Sequence, residues 1–182
     1  IGRLAKYTFD MGGTGDLLSG GADDDTLYGG AGGDSLSGDA GPDRLYGGIG
    51  NDTLTGGVGD DWLAGEDGDD ELSGDRGNDV LMGDAGSNVY HFAAGFGHDT
   101  VESTLGATDR IVFDSSIDKG DIRVSRIQDA LQLTLLSSGD SVVLSNWFRP
   151  SALGATTEVA FSDGTVWSAA TRASWPTSTA GP

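Results

Sequence analysis

The sequence predicts an all-β fold, a parallel solenoid of short strands with a small β-rich block behind it. Three observations carry that expectation. Asp recurs every nine residues at Asp25, Asp34, Asp43, Asp52, Asp61, Asp70 and Asp79. Two positions after each stands Leu: Leu27, Leu36, Leu45, Leu54, Leu63, Leu72 and Leu81. Five positions before each stands Gly: Gly20, Gly29, Gly38, Gly47, Gly56, Gly65 and Gly74. A fixed short period is the signature of a stacked-repeat architecture.

The register extends back to Asp16 and Leu18, where Met11 replaces the first Gly. It extends forward to Gly83, with Asn88 at the Asp position and Tyr90 at the Leu position. Residues 11–91 are therefore nine consecutive nonamers. The glycines permit the positive φ of a tight turn. Pro42 falls inside one turn, where its fixed φ is tolerable and Gly41 before it relieves the steric conflict. The trailing residues, such as Thr26-Leu27-Tyr28 and Thr53-Leu54-Thr55, predict very short strands with one inward side chain each. Nine residues make half a coil. Leu18, Leu36, Leu54 and Leu72 are then expected on one sheet, and Leu27, Leu45, Leu63 and Leu81 on the other. The segment 95–101 reads as a tenth turn, displaced by the inserted Phe92 and Ala93, with Asp99 at the Asp position. Gly2 and Phe9 keep the register without an Asp, so residues 1–10 read as a lead-in or cap.

Charge narrows the function. The chain has 182 residues, with 29 acidic against 10 basic and a net charge of −19. That excludes nucleic acid and anionic membrane surfaces, which need a basic partner. It also opposes compaction unless cations neutralise it. Apolar residues make up 36% and Gly supplies 32 positions. There are no cysteines, so disulfides, thiolate metal sites and Cys nucleophiles are excluded. No apolar run reaches transmembrane length, and no N-terminal signal peptide is read. The chain starts at Ile1 without a Met and reads as a piece of a longer protein. Nine inward side chains are few to hold nine ordered nonamers, so a bound ligand is expected to supply folding free energy.

Gly47-Gly48-Ile49-Gly50-Asn51-Asp52-Thr53-Leu54-Thr55 and the nonamer from Gly29 to Ser37 match the pattern G-G-x-G-x-D-x-U-x at every position. Over residues 11–91 the sequence resembles the RTX (repeats-in-toxin, haemolysin-type calcium-binding) family. The resemblance implies a parallel β-roll, a right-handed β-helix with Ca²⁺ between turns two repeats apart. Hard oxygen ligands suit that ion. The implied side-chain ligands are Asp16, Asp25, Asp34, Asp43, Asp52, Asp61, Asp70, Asp79 and Asp99, with Asn88 as a weaker neutral one. The implied carbonyl ligands come from the turns: Gly12 and Gly21; Gly29, Gly30 and Gly32; Gly38 and Gly41; Gly47, Gly48, Ile49 and Gly50; Gly56, Gly57, Val58 and Gly59; Gly65, Asp67 and Gly68; Gly74 and Gly77. One edge pairs Asp16 with Asp34, Asp34 with Asp52, and Asp52 with Asp70. The other pairs Asp25 with Asp43, Asp43 with Asp61, and Asp61 with Asp79. Up to about eight ions are implied if Asn88 and Asp99 both take part. Thr14 and Asp23 replace the fourth-position Gly, which implies looser early sites. Asp39, Glu66, Asp75 and Asp84 replace the second Gly, which implies turn strain.

The roll is expected over 11–102, with a β-rich capping segment at 103–171 and a flexible tail at 172–182 behind it. Alternating segments at 110–113, 122–124, 131–135, 141–144 and 158–161 predict β-hairpins. Trp147, Phe148, Phe161 and Trp167 supply bulk for a small core covering the open apolar end. The segments around His98, Asp109, Asn146 and Phe161 resemble the stretch C-terminal to the last repeats in RTX proteins exported by type I secretion. The resemblance implies a secreted bacterial protein such as a toxin, adhesin or exoenzyme, acting as a monomer with the type I machinery as partner. The polar tail lacks the apolar ending many such export signals have. His91 and His98 are outside any H-E-x-x-H motif and read as non-catalytic. Asp69 and Glu71 read as solvent-facing, and Trp147 and Trp167 as core. No G-K-[ST] phosphate loop occurs. The chain is expected to be no enzyme; catalysis would lie outside it. A rival reading is glycan or cell-surface binding through outward Tyr28, Tyr46, Trp62 and Met82.

Overall fold

A computed structural model describes residues 6–9, 13, 15–102, 108–147 and 158–168. Gly12 and Phe148, together with the tail at 172–182, lie outside the described residues. The architecture is two facing β-sheets wound as a solenoid. The coil strands are β1 (Lys6–Phe9), β2 (Leu17–Ala22), β3 (Asp25–Ala31), β4 (Ser35–Ala40), β5 (Arg44–Ile49), β6 (Thr53–Val58), β7 (Trp62–Asp67), β8 (Glu71–Arg76), β9 (Val80–Met82), β10 (Val89–Phe92) and β11 (His98–Glu102). The later strands are β12 (Arg110–Phe113), β13 (Ile122–Ile127), β14 (Ala130–Leu135), β15 (Ser141–Leu144), β16 (Glu158–Phe161) and β17 (Val166–Trp167). One sheet runs β1-β3-β5-β7-β9-β11-β15-β14-β13, and the other β17-β16-β12-β10-β8-β6-β4-β2.

The leucines stack as the period requires. Leu27 pairs with Leu45, Leu45 with Leu63 and Leu63 with Leu81; on the other sheet Leu18 pairs with Leu36, Leu36 with Leu54 and Leu54 with Leu72. All are buried, and six of the eight have no exposed surface. The strands are longer than the sequence suggests. Thr53–Val58 continues through Gly56 and Gly57, because each turn lies on the same turn eighteen residues later and the ladder bonds continue through the glycines.

Close stacking makes particular glycines obligatory. Gly50 has φ 137°, and a Cβ there would lie 1.4 Å from the Gly32 carbonyl oxygen. At the second turn position the left-handed conformation is kept even without glycine: Asp39, Glu66, Asp75 and Asp84 have φ of 71°, 73°, 65° and 57°. Ser37 Oγ donates to Asp39 at 2.8 Å and Ser73 Oγ to Asp75 at 2.7 Å, which anchors two of them. A left-handed non-glycine residue costs about 1–2 kcal/mol. Glu66→Gly is therefore expected to stabilise the folded roll by about 1 kcal/mol, read as a raised melting temperature; an unchanged or lowered one contradicts the strain.

Two sequence expectations shift. Phe9 pairs with Tyr28 and Thr8 with Leu27, one residue off the repeat register. Tyr7, eighteen residues before Asp25, gives this first coil no ladder Asp to fix its register. Beyond the repeats, only part of the chain forms hairpins. β13, β14 and β15 are antiparallel, as are β16 and β17. β12 instead lies parallel on β10, β16 parallel on β12, and β15 parallel on β11. The inward positions explain it: Ile111 and Phe113 continue the columns of Tyr90 and Phe92, so they prolong the solenoid. Phe92, Phe113, Phe161 and Trp167 form a chain of ring contacts with centroids 4.6–5.7 Å apart. Trp167 is buried, and Trp147 packs against the same core.

Candidate metal centre

The Asp column is built by the backbone. Each Asp N–H donates to the Oδ1 of the Asp one coil later. Asp16 donates to Asp34 at 2.8 Å, Asp34 to Asp52 at 2.7 Å and Asp52 to Asp70 at 2.8 Å. On the other edge Asp25 donates to Asp43 at 2.7 Å, Asp43 to Asp61 at 2.8 Å and Asp61 to Asp79 at 2.8 Å. Asp79 donates to Asp99 at 2.9 Å, so the displaced tenth turn restores the column across its two-residue insertion.

One oxygen of each accepting carboxylate, at Asp34, Asp43, Asp52, Asp61, Asp70, Asp79 and Asp99, is thus satisfied and the other is not. Oδ2 of Asp25, Asp34, Asp43, Asp52, Asp61, Asp70, Asp79 and Asp99 is buried without a hydrogen-bond partner. A buried carboxylate oxygen without a partner is costly. Burial is the main cause that pushes Asp43, Asp70 and Asp79 up to about 6, Asp61 to about 7 and Asp99 to about 8, and it raises Asp52 as well. Neighbouring carboxylates of the same column add to it.

The bare oxygens do not stand alone. The point where a Cβ on Gly29 would sit is 2.7 Å from Asp34 Oδ2 and 2.5 Å from the Gly47 carbonyl oxygen. At Gly38 the corresponding distances are 2.5 Å to Asp43 Oδ2 and 2.6 Å to the Gly56 carbonyl. Oxygens from consecutive coils therefore face one space, and glycine keeps it open. The third-position carbonyls are partly engaged: those of Ile49, Val58 and Asp67 accept the N–H of Gly32, Gly41 and Gly50 at 2.8–2.9 Å. Each keeps a second lone pair. Among the described residues, no three His, Cys, Asp or Glu side chains gather around one point. The donor set is carboxylates paired between levels plus turn carbonyls, all hard oxygen, which fits Ca²⁺ and not a nitrogen- or sulfur-seeking metal.

Sequence reasoning missed two features. Asp109 is buried, and its Oδ1 accepts the Asn88 N–H at 3.1 Å, which carries the column beyond the repeats. Its signal was Asp109-Arg110-Ile111, an Asp-x-apolar step without the glycines. A second, exposed ladder runs beside the first in the opposite sense. Asn51 Oδ1 accepts from Asp69 N–H at 3.1 Å, Asp69 from Ser87 at 2.7 Å, Asp60 from Asn78 at 2.9 Å and Asn78 from His98 at 3.2 Å. Its signal was Asn or Asp immediately before the ladder Asp. Of the two histidines, His91 lies 3.7 Å from exposed Glu71, and His98 Nδ1 lies 3.1 Å from Ser141 Oγ.

A solenoid that buries bare carboxylate oxygens in columns along both edges is a cation-binding β-roll. The sequence model of the RTX calcium-binding nonapeptide repeat matches four times, at residues 11–45, 29–63, 55–90 and 64–101. The chain belongs to that family, and its repeats form a structural calcium-binding roll that is not itself catalytic. A haemolysin-type calcium-binding protein related domain matches residues 131–171. No curated protein matches the chain. Among solved structures it is similar to the extracellular lipase of Serratia marcescens, at 20% identity and TM-score 0.34, covering 78% of this chain and 38% of the lipase. It is also similar to the R3 subunit of a mannuronan C5-epimerase from Azotobacter vinelandii, at 22% identity and TM-score 0.30, covering 100% of this chain and 92% of that one. The family assignment rests on the repeats alone.

The raised carboxyls give a pH dependence for the metal-free chain. A folded-state value above the ordinary 3.8 means that the metal-free roll holds protons more tightly than the unfolded chain. That stabilisation is present at low pH and is lost as pH rises from about 4 through about 8. In EDTA, the strand signal in circular dichroism is expected to be strongest near the acid end and to decline toward pH 8. A signal that grows with pH in EDTA refutes it.

Proposed function

We propose that this chain is a Ca²⁺-dependent folding module of a secreted bacterial protein. The observation that carries the reading is the set of eight buried Asp Oδ2 atoms without partners. Each ion would lie between consecutive Asp residues of one edge, with turn carbonyls such as those of Gly30, Gly47 and Gly56 completing its shell. Cytosolic Ca²⁺ is far below the roughly 10⁻⁴–10⁻³ M range of extracellular modules. The acidic chain would stay unfolded there and thread a type I export channel, then fold outside. The antiparallel strands β13, β14 and β17 lie at the far ends of the two sheets and act as a cap, on which the roll can start. Catalysis, where the parent has any, belongs to other segments. A Ca²⁺ titration followed by circular dichroism tests the folding step. Export of a fused passenger with and without external Ca²⁺ tests the secretory one, and efficient folding without the ion sinks both.

The rival reading, glycan recognition, has less support. Tyr28 and Tyr46 stack on each other with centroids 4.8 Å apart and planes 8° apart, which covers one face of each ring. Trp62 remains half-exposed beside them. Glycan-array binding in Ca²⁺ that is lost in Trp62→Ala would revive it.

A further inference from the structure

On the edge of Asp16, Asp34, Asp52 and Asp70, the next ladder position is Asn88. Its Oδ1 accepts the Asp70 N–H at 3.0 Å, as Asp70 Oδ1 accepts the Asp52 N–H one coil earlier. That bond sets the amide orientation, because only the oxygen can accept an N–H. Nδ2 then stands where each Asp places its bare Oδ2. The glycine five residues upstream measures the coincidence. A Cβ on Gly83 would lie 2.3 Å from Asn88 Nδ2; on Gly65 it would lie 2.2 Å from Asp70 Oδ2, and on Gly74 2.1 Å from Asp79 Oδ2. A carboxamide nitrogen donates two hydrogens and offers a cation no lone pair. Nδ2 is itself buried without a hydrogen-bond partner, so this level presents a donor where the others present a bare acceptor oxygen.

A second departure acts on the same turn. Tyr90 replaces the inward Leu and is fully buried. Its hydroxyl oxygen accepts the Gly83 N–H at 2.9 Å. The turn from Gly83 to Asn88 is thus fixed at its start by the Tyr90 hydroxyl and at its end by the two Asn88 hydrogen bonds, to Asp70 and to Asp109. The opposite edge shows no such change: Asp79 and Asp99 each keep a bare Oδ2.

We infer that the Gly83–Asn88 turn is a metal-free level, in which Asn88 Nδ2 takes the place of a ligand oxygen and the Tyr90 hydroxyl and the two Asn88 hydrogen bonds hold the turn. This rests on the reading of those other turns as Ca²⁺ sites. The ion series on one edge ends at Asp70, while on the other it runs on to Asp99. The C-terminal block is joined to the roll by one ion-bridged level and one level of protein groups alone.

Native mass spectrometry of the full chain in saturating Ca²⁺ tests this by counting ions. Asn88→Asp is expected to bind one more ion than the wild type, and Asp99→Ala to bind fewer. Tyr90→Phe is expected to keep the wild-type count and to melt at a lower temperature. An unchanged count in folded Asn88→Asp overturns the inference. If that variant does not fold, Asn88→Ala decides: the wild-type count supports the inference, and a lost ion overturns it by showing that Asn88 is a ligand. A wild type that binds no Ca²⁺ overturns the calcium reading and this inference together, whereas a wild type that binds several ions beside an unchanged Asn88→Asp overturns this inference alone.

Discussion

In EDTA at neutral pH the chain is expected to lose most of its β-sheet circular dichroism, and millimolar Ca²⁺ is expected to restore it. The physical reason is local and repeated. Asp34, Asp43, Asp52, Asp61, Asp70, Asp79 and Asp99 are buried, each with one oxygen accepting a backbone N–H and the other without a hydrogen-bond partner. Without an ion these groups must protonate or stay in water, and the net charge of −19 favours the expanded chain. The hydrophobic side offers only one inward residue per nonamer and no disulfide. An ion that binds only the folded state adds about 2.7 kcal/mol at a concentration a hundred times its dissociation constant. Several such ions exceed what the leucine columns leave wanting. Since each coil rests on its neighbours, the transition should be steep in Ca²⁺, with a midpoint of about 0.1–1 mM. A chain equally β-rich and equally heat-resistant in EDTA contradicts the argument.

The columns of Leu and Asp were legible because the period is set by stacking: an identical turn every eighteen residues leaves one solution for which side chains point inward. The ends were less legible for the same reason. At Phe9 the period can be extended on paper, but no Asp ties that coil to the next, and it slips by one residue. At Arg110–Phe113 the glycines are gone and the spacing is irregular, so the strand reads as part of a hairpin; only the fit of Ile111 and Phe113 on Tyr90 and Phe92 places it on the solenoid. Asn88 was legible as a departure but not in its consequence. The sequence offers an amide with an oxygen and a nitrogen, and the Asp70 N–H decides which of them faces the turn. The outer ladder of Asn51, Asp60, Asp69 and Asn78 was hidden because its residues look like ordinary exposed polar positions until the coils are stacked.

Asp52→Ala is expected to raise the Ca²⁺ midpoint about tenfold or more, equivalent to about 1.4 kcal/mol per decade, and to make the titration shallower. Asp52 serves two levels. Its Oδ1 accepts the Asp34 N–H at 2.7 Å, and its own N–H donates to Asp70 Oδ1 at 2.8 Å. Its Oδ2 faces the space beside Gly47, which the Gly65 carbonyl also faces. Truncation leaves the Asp34 N–H without its acceptor and removes a ligand from the levels below and above. In a solenoid the loss does not stay local, because coils on either side of a weakened contact lose the neighbour that supports them. Asp69→Ala is the matched control: its side chain is exposed, and it accepts the Ser87 N–H at 2.7 Å on the outer ladder. That variant is expected to leave the midpoint nearly unchanged. Asp52→Asn separates the two parts of the effect. It can keep the bond to Asp34 while turning a nitrogen toward the turn, as Asn88 does. A midpoint close to that of Asp52→Ala then assigns the loss to the ion, and one close to the wild type assigns it to the backbone bond.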